Sequence, residues 1–276
     1  MLTENELKHQ LRPIVDNDYA VPDEGSAFDL ALAMLPHVGS TDPDLRDDLI
    51  YMTLAYWIER GILTGEQKRE LLSIARNTQH LFYKLGEQGT DSIFTRSFSV
   101  LLIAALFYGH RHVPYLTQAE LIETRDDVVR YLAAEQDLRG YDPQKGWIHA
   151  VAHSADALNE LAACLECDAV VLDEILAAIQ TAAAREEMVF GYEEDERLAT
   201  TTMTVFGRKQ LSAESMQNWI ERFATLRDEE ATNDKRVQRY INIKHFLRSL
   251  YFRLLKDENS TQLQSTVLKT LDALRR

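Results

Sequence analysis

The sequence predicts an all-α fold, and three observations predict it. Apolar residues recur at helical period through almost the whole chain, with no convincing alternating strand. Breakers are sparse: 11 glycines and 6 prolines in 276 residues, gathered at corners such as Pro22, Pro36, Pro43, Gly61, Gly86, Pro114 and Gly140. Helices pair through short links, and the second members of successive pairs begin near residues 44, 92, 147, 194 and 233. That spacing, roughly 50 residues, is slightly beyond the ~40–47 of HEAT and armadillo units. The expected architecture is therefore a right-handed α-α superhelix, a HEAT-like helical-repeat solenoid. Residues 1–276 read as one all-helical repeat domain, whose N-terminal half (1–115) continues into the C-terminal half (116–276).

Each element follows from apolar spacing and end chemistry. Helices are expected over residues 4–12, 24–35 and 44–60, then 64–85 with a break near Asn77. The next, 92–108, contains the longest apolar run, from Phe98 to Tyr108. That run is short of the about 20 residues a membrane span needs and fits a buried core helix. The helix over 118–136 opens with Thr117-Gln-Ala-Glu120, a capping box. Helices over 147–166 and 169–187 follow; Ala169-Val-Val-Leu172 is partly β-branched but keeps the helical period. Residues 194–206, 213–227, 233–256 and 261–274 complete the set, with Asp91 and Ser212 as further side-chain caps.

Charge narrows the function classes. The 44 acids against 30 Lys and Arg leave a net charge of −14. So acidic a surface repels phosphate backbones, and nucleic acid is not an expected partner. The nearest approach to a basic patch, residues 235–253, interleaves its bases with Ile, Phe and Leu. The opening Met-Leu-Thr-Glu-Asn-Glu-Leu-Lys lacks the succession of a secretion signal, and no membrane partner is expected. Two cysteines do not make a disulfide scaffold, so the expected location is the cytoplasm. Cys164-Leu-Glu-Cys167 sits near a helix C-terminus, where the dipole does not activate a thiol. Phosphate-binding, dinucleotide and nucleophile-elbow motifs are missing.

The stretch from Glu135 to Asp156 concentrates the chemistry: four acids, Arg139, Lys145, two glycines, Trp147 and two histidines. Taken as one helix at about 100° per residue, residues 147–166 place Ile148, Val151, Ala155, Leu158, Ala162 and Leu165 on an apolar stripe. His149, His153, Asp156 and Glu160 fall opposite. The i, i+4, i+7 spacing stacks His149, His153 and Asp156 over two turns. They are candidate ligands for a divalent metal, with Glu135 or Asp137 as a further ligand. A zincin would carry a Glu between the histidines, and a carboxylate-bridged di-iron bundle a Glu-x-x-His pair; both are missing here. A hydrogen-bonded polar site or a solvated helix face accounts for the same stripe.

Other candidates flank this corner. Arg139, before a Gly140 expected to turn left-handed, is placed either to clamp a carboxylate or phosphate or to order the corner against an acid. Trp147 walls a pocket or fills a gap between repeats. Arg96, in an apolar helix, wants Asp47, Glu135 or Asp156 as its carboxylate. Glu194 and Arg197 stand i, i+3 and are expected to pair locally or to face a groove. Polar clusters thus recur at or before the second helices: Asp44–Asp47, Asp91–Ser97, the Glu135–Asp156 corner and Glu193–Arg197. In a solenoid the second helices line one concave face, so the clusters are expected to converge on a polar groove. Ordinary cap and dipole chemistry would also put acids there.

Four segments carry a family resemblance: Asp91-Ser-Ile-Phe-Thr-Arg-Ser-Phe-Ser99, Glu135-Gln-Asp-Leu-Arg-Gly-Tyr141, Lys145-Gly-Trp-Ile-His-Ala-Val-Ala-His-Ser-Ala-Asp156 and Glu194-Asp-Glu-Arg197. Scattered over about half of the chain, they resemble a bacterial family described as domain of unknown function 2785. The resemblance implies an all-helical protein and brings no activity, cofactor or partner.

Two readings of function remain. One is a binding module whose polar groove (Arg96, Glu135, Asp137, Arg139, Trp147, His149, His153, Asp156, Glu194, Arg197) holds a peptide, a protein or a small charged ligand. The other is a metal-dependent or acid–base hydrolase using His149, His153 and Asp156, with Glu135 as base and Arg139 or Arg96 stabilising charge.

Overall fold

The computed structural model describes residues 2–22, 25–226 and 232–274. It is all-α apart from one small hairpin, and it divides into two compact units, Met1–Cys164 and Leu165–Arg276. The expected helix start at residue 24 and end at residue 227 lie outside the described residues.

Unit 1 opens with α1 (Glu4–Asp16) and α2 (Ala27–Met34). A π-helical stretch, Asp44–Tyr51, continues into α3 (Met52–Glu59), where the sequence predicted one plain helix. Next come α4 (Gly65–Ala75), α5 (Ser92–His112) and α6 (Gln118–Ala134). The two-residue strands β1 (Tyr141–Asp142) and β2 (Gly146–Trp147) pair antiparallel, Tyr141 opposite Trp147, before α7 (Ala150–Ala162).

Caps fix many of these starts. Thr3, Thr64 and Thr117 each accept the N–H of N3, and Glu6, Gln67 and Glu120 reach back to the cap backbone. Asp91, expected to cap α5, makes no such bond; its carboxylate pairs with Lys145 at 2.6 Å.

α5 is the central element of unit 1, packing on α3, α4 and above all α7, while α6 packs on α7. It runs to His112, beyond the expected Tyr108, and is long and apolar enough by composition to cross a membrane. However, 83% of its apolar window is buried inside the protein, the position of a core helix. Phe94, Phe98, Ile103, Leu106 and Phe107 of α5 and Leu54, Trp57 and Ile58 of α3 are all buried in this core. Close approach is built in at Gly109, where a Cβ would sit 2.6 Å from Ile58 Cγ2.

Unit 2 comprises α8 (Ala169–Ala183), α9 (Glu194–Gly207), α10 (Ala213–Arg222), α11 (Asn233–Leu254) and α12 (Thr261–Ala273). α9 packs on α8 and α11, and α12 on α10 and α11. Its core gathers edge-to-face rings around Trp219: Phe206, Phe223 and Phe246 lie 5.1–6.0 Å away. The Trp219 indole N–H donates to Leu176 O at 2.9 Å, giving the buried polar atom its partner.

Candidate functional site

Three of the four polar clusters belong to unit 1, and the structure brings them together. α6 stops at Ala134, and Glu135 turns extended, its carboxylate folding back onto the N–H groups of Gln136 and Asp137, both at 2.9 Å. Arg96 of α5 then clamps that carboxylate with two bonds, Nε to Oε2 at 2.6 Å and Nη2 to Oε1 at 2.9 Å. The pair is sealed, with side-chain exposures of 0% and 1%. The remaining guanidinium donors reach Ser92 Oγ and the carbonyls of Tyr83, Lys84 and Glu87. Arg96 therefore staples the 83–87 turn to α5 and the end of α6. Of the three acids it was expected to meet, Glu135 is the one it meets. Burial and the adjoining Glu135 hold the Tyr131 hydroxyl well above its ordinary pKa.

Asp137 and Arg139 form the next clasp. Arg139 bonds both Asp137 oxygens, at 2.8 and 2.6 Å, and donates to Thr90 O. Asp137 also accepts the Gly89 N–H at 2.9 Å. The bond to Asp137 raises the Arg139 pKa. The clasp ties the 137–139 segment to residues 89–90. Gly140 is not among the left-handed glycines. The left-handed positions of the corner are Gly146 (φ 80°) and His149 (φ 51°) instead.

The hairpin is set by Asp142, whose Oδ1 accepts the N–H groups of Gln144 and Lys145. It is anchored from below by Arg46, a side chain with no exposed surface. Arg46 donates to Lys145 O (2.8 Å), Trp147 O (3.3 Å), Ser40 O (2.8 Å) and Asp47 Oδ1 (2.8 Å). Its guanidinium lies 4.4 Å and 4.6 Å over the rings of Phe94 and Phe98. Burial lowers the Arg46 pKa and pushes the Asp47 carboxyl up to about 6.

On this frame sits a run of rings. Tyr141 and Trp147, 38% and 46% exposed, meet at 4.8 Å. Trp147 adjoins His149 (4.4 Å), His149 adjoins His153 (5.6 Å), and His153 stands edge-on to Phe98 (5.2 Å). His153 Nδ1 meets Ser97 O at 3.1 Å; a carbonyl only accepts, so Nδ1 carries the proton.

The expected helix over 147–166 is corrected here. α7 begins at Ala150, and His149 is its N-cap in left-handed conformation. The i, i+4, i+7 stack of His149, His153 and Asp156 on one helix therefore does not form, although the two imidazoles still adjoin. Asp156 lies half-buried one turn beyond His153. Among the described residues no three His, Cys, Asp or Glu side chains gather as metal ligands.

Glu194 and Arg197 belong to unit 2. Glu193 is left-handed (φ 70°), and Glu194, 1% exposed, accepts the Tyr192 N–H at 2.8 Å; burial raises its pKa. Arg197 is exposed on the first turn of α9. Beside them, Asp195 accepts from Ser249, and Glu196 binds Arg253 of α11.

Residues 81–252 match a family described as protein of unknown function, DUF2785. The chain belongs to that family. No curated protein and no solved structure shows a significant match. The span shared with DUF2785 takes in Arg96, Glu135, Asp137, Arg139, Trp147, both histidines, Asp156, Glu194 and Arg197. Arg46 and Asp47 precede it.

Those two residues are what sequence reasoning underrated. A signal existed: Arg46 stands at i−3, i−4 and i−7 from Leu49, Ile50 and Thr53, all buried, so a cation occupies the apolar stripe itself. In the same unit of this DUF2785 protein, an open cleft of ≈ 700 Å³ lies between α4 and α6. Its arginines are already matched, Arg69 with Glu120 and Arg76 with Asp127.

Proposed function

We propose that the protein is a cytoplasmic binding module built as a HEAT-like, right-handed α-α superhelix, and that its recognition surface is the Trp147 corner. Within unit 1 α3 packs on α5 and α5 on α7, with α4 against α5 and α6 against α7, and this pairing supports the solenoid reading. The cytoplasmic assignment rests on the low cysteine content, two in 276 residues, which is no disulfide scaffold.

The observation that carries the reading is an exposed Trp147 held on a rigid base. Arg46 bonds its carbonyl, His149 packs on its ring, and the Arg96–Glu135 and Arg139–Asp137 clasps fix the loop behind it. A large ring pre-organised at the surface is what a binding hot spot needs. Asp47, Asp91, Asp142 and Asp156 lie on the elements around it, and the chain is strongly acidic. The ligand this chemistry selects is a basic peptide segment, its Lys or Arg meeting the Trp147 and Tyr141 faces and its charge drawn by the acids.

The competing reading, a metal-dependent or acid–base hydrolase at His149, His153 and Asp156, draws support from the adjoining imidazoles. It needs a base other than Glu135, both of whose oxygens are engaged by Arg96.

Trp57 and Trp219 have no exposed surface, so acrylamide quenching reports Trp147. A binding Arg/Lys-rich peptide is expected to protect this fluorescence, and Trp147→Ala to weaken binding about 10–30-fold. Basic peptides that leave Trp147 fully quenchable, or an unchanged affinity in Trp147→Ala, defeat the proposal. Stoichiometric metal lost in His149→Ala would favour the hydrolase.

A further inference from the structure

The basic stretch of α11 is absorbed by neither reading. From Lys235 in α11 to Lys256 just beyond it, the chain holds seven of its 30 Lys and Arg residues and no acid. Five of these cations divide into two groups. Lys235 and Arg239 pair with Glu186, and Arg253 with Glu196. Lys244 and Arg248 have no carboxylate at ion-pair distance among the described residues. In a chain where acids outnumber bases 44 to 30, these two cations concentrate positive charge at one place.

They stand one turn apart and, with Tyr240, Leu271 and Leu274, line a cavity of ≈ 110 Å³ between α11 and α12. The Lys244 ammonium lies 4.9 Å over the Tyr240 ring, so its charge is held beside the cavity. At about 30 Å³ per water, the space takes three or four waters. That is far below the about 300–1,000 Å³ of a site for a whole organic ligand. It suits one compact group with an organic substituent outside. Two cations match a charge near −2, which a phosphate monoester carries at neutral pH and a carboxylate does not.

We propose that this cavity binds the phosphate of a phosphate monoester. The Arg248 fork takes two oxygens and Lys244 acts as a point charge, while Tyr240, Leu271 and Leu274 contact the ester's organic part. The monoester is either a soluble metabolite or a lipid headgroup.

The test titrates the full chain, by calorimetry, with phenyl phosphate, with benzoate and with phosphatidylcholine vesicles containing phosphatidate. Phenyl phosphate is expected to bind once per chain. Lys244→Gln and Arg248→Gln are each expected to weaken it by at least about tenfold, with unchanged melting temperatures. Lys256→Gln, exposed and outside the cavity, leaves binding unchanged. Binding to phosphatidate vesicles alone, lost in the same two variants, supports the same chemistry with a lipid as its source. The proposal is overturned if neither phosphate binds, if benzoate binds as tightly, or if affinity survives both substitutions. Failure here leaves the Trp147 reading untouched, because that reading is scored by peptide binding and Trp147 quenching.

Discussion

Asp47 shares its carboxylate with Arg46, and burial lifts its pKa from 3.8 to about 6. Between those values the folded chain holds a proton that the unfolded chain has released. Stability from this group is therefore fully present below pH 3.8 and lost as pH rises through 6. Measured against Asp47→Asn by urea unfolding, the wild type is expected to lose up to about 3 kcal/mol between pH 4 and 7. A difference that stays flat over that range would show an ordinary carboxylate. The Arg96–Glu135 pair makes a different prediction. Arg96→Met strands a carboxylate with 1% exposure, at an expected cost of about 3–5 kcal/mol. Arg96→Met combined with Glu135→Leu should recover much of that loss, because no buried charge is then left alone. Additive costs in the double-mutant cycle would deny the coupling.

At the scale of the element, the hairpin depends on Gly146. Its φ of 80° belongs to glycine, and a Cβ there would come within 3.1 Å of Pro43 Cβ and 3.2 Å of Arg46 Nη2. Gly146→Ala is expected to destabilise by about 1–2 kcal/mol and to loosen Trp147, read as faster amide exchange at Ile148 and stronger acrylamide quenching. Unchanged exchange would mean the hairpin is not held from Arg46. The hairpin also explains where reading the sequence stops. Helix starts at Thr117 and Ser212 are legible because a side chain accepts a nearby N–H. Residues 77–85, expected to continue the helix beyond a break near Asn77, form turns instead, because α4 ends at Ala75 and does not resume. A two-residue strand is too short to show alternation. Nothing in Trp147-Ile148-His149 announces a left-handed backbone, since Ile148 continues the apolar stripe of α7 and hides the boundary. Arg96–Glu135 was half legible: a cation in an apolar helix demands an acid, but which acid is a tertiary fact. The ladder from Arg46 to the hairpin carbonyls spans about a hundred residues of sequence and leaves no local trace on the acceptor side, because any residue supplies a carbonyl.

The whole molecule carries a charge of −14, and that field acts differently on the two proposed ligands. A basic peptide approaching the Trp147 corner is attracted by nearby acids and by the net charge together. A phosphate approaching Lys244 and Arg248 is attracted locally and repelled by the rest of the chain. Salt separates these cases, because the Debye length falls from about 10 Å at 0.1 M to about 3 Å at 1 M. It screens only attraction for the peptide, but attraction and repulsion at once for the phosphate. The peptide association rate, followed by stopped-flow Trp147 fluorescence, is therefore expected to fall about tenfold or more between low and high salt. Phenyl phosphate affinity over the same range should change by less than about threefold, since partial cancellation leaves little net field to screen. A peptide rate indifferent to salt would remove the electrostatic reason for a cationic ligand at the corner. A steep salt dependence for the phosphate would mean that Lys244 and Arg248 act alone, with no opposing field from the surrounding acids.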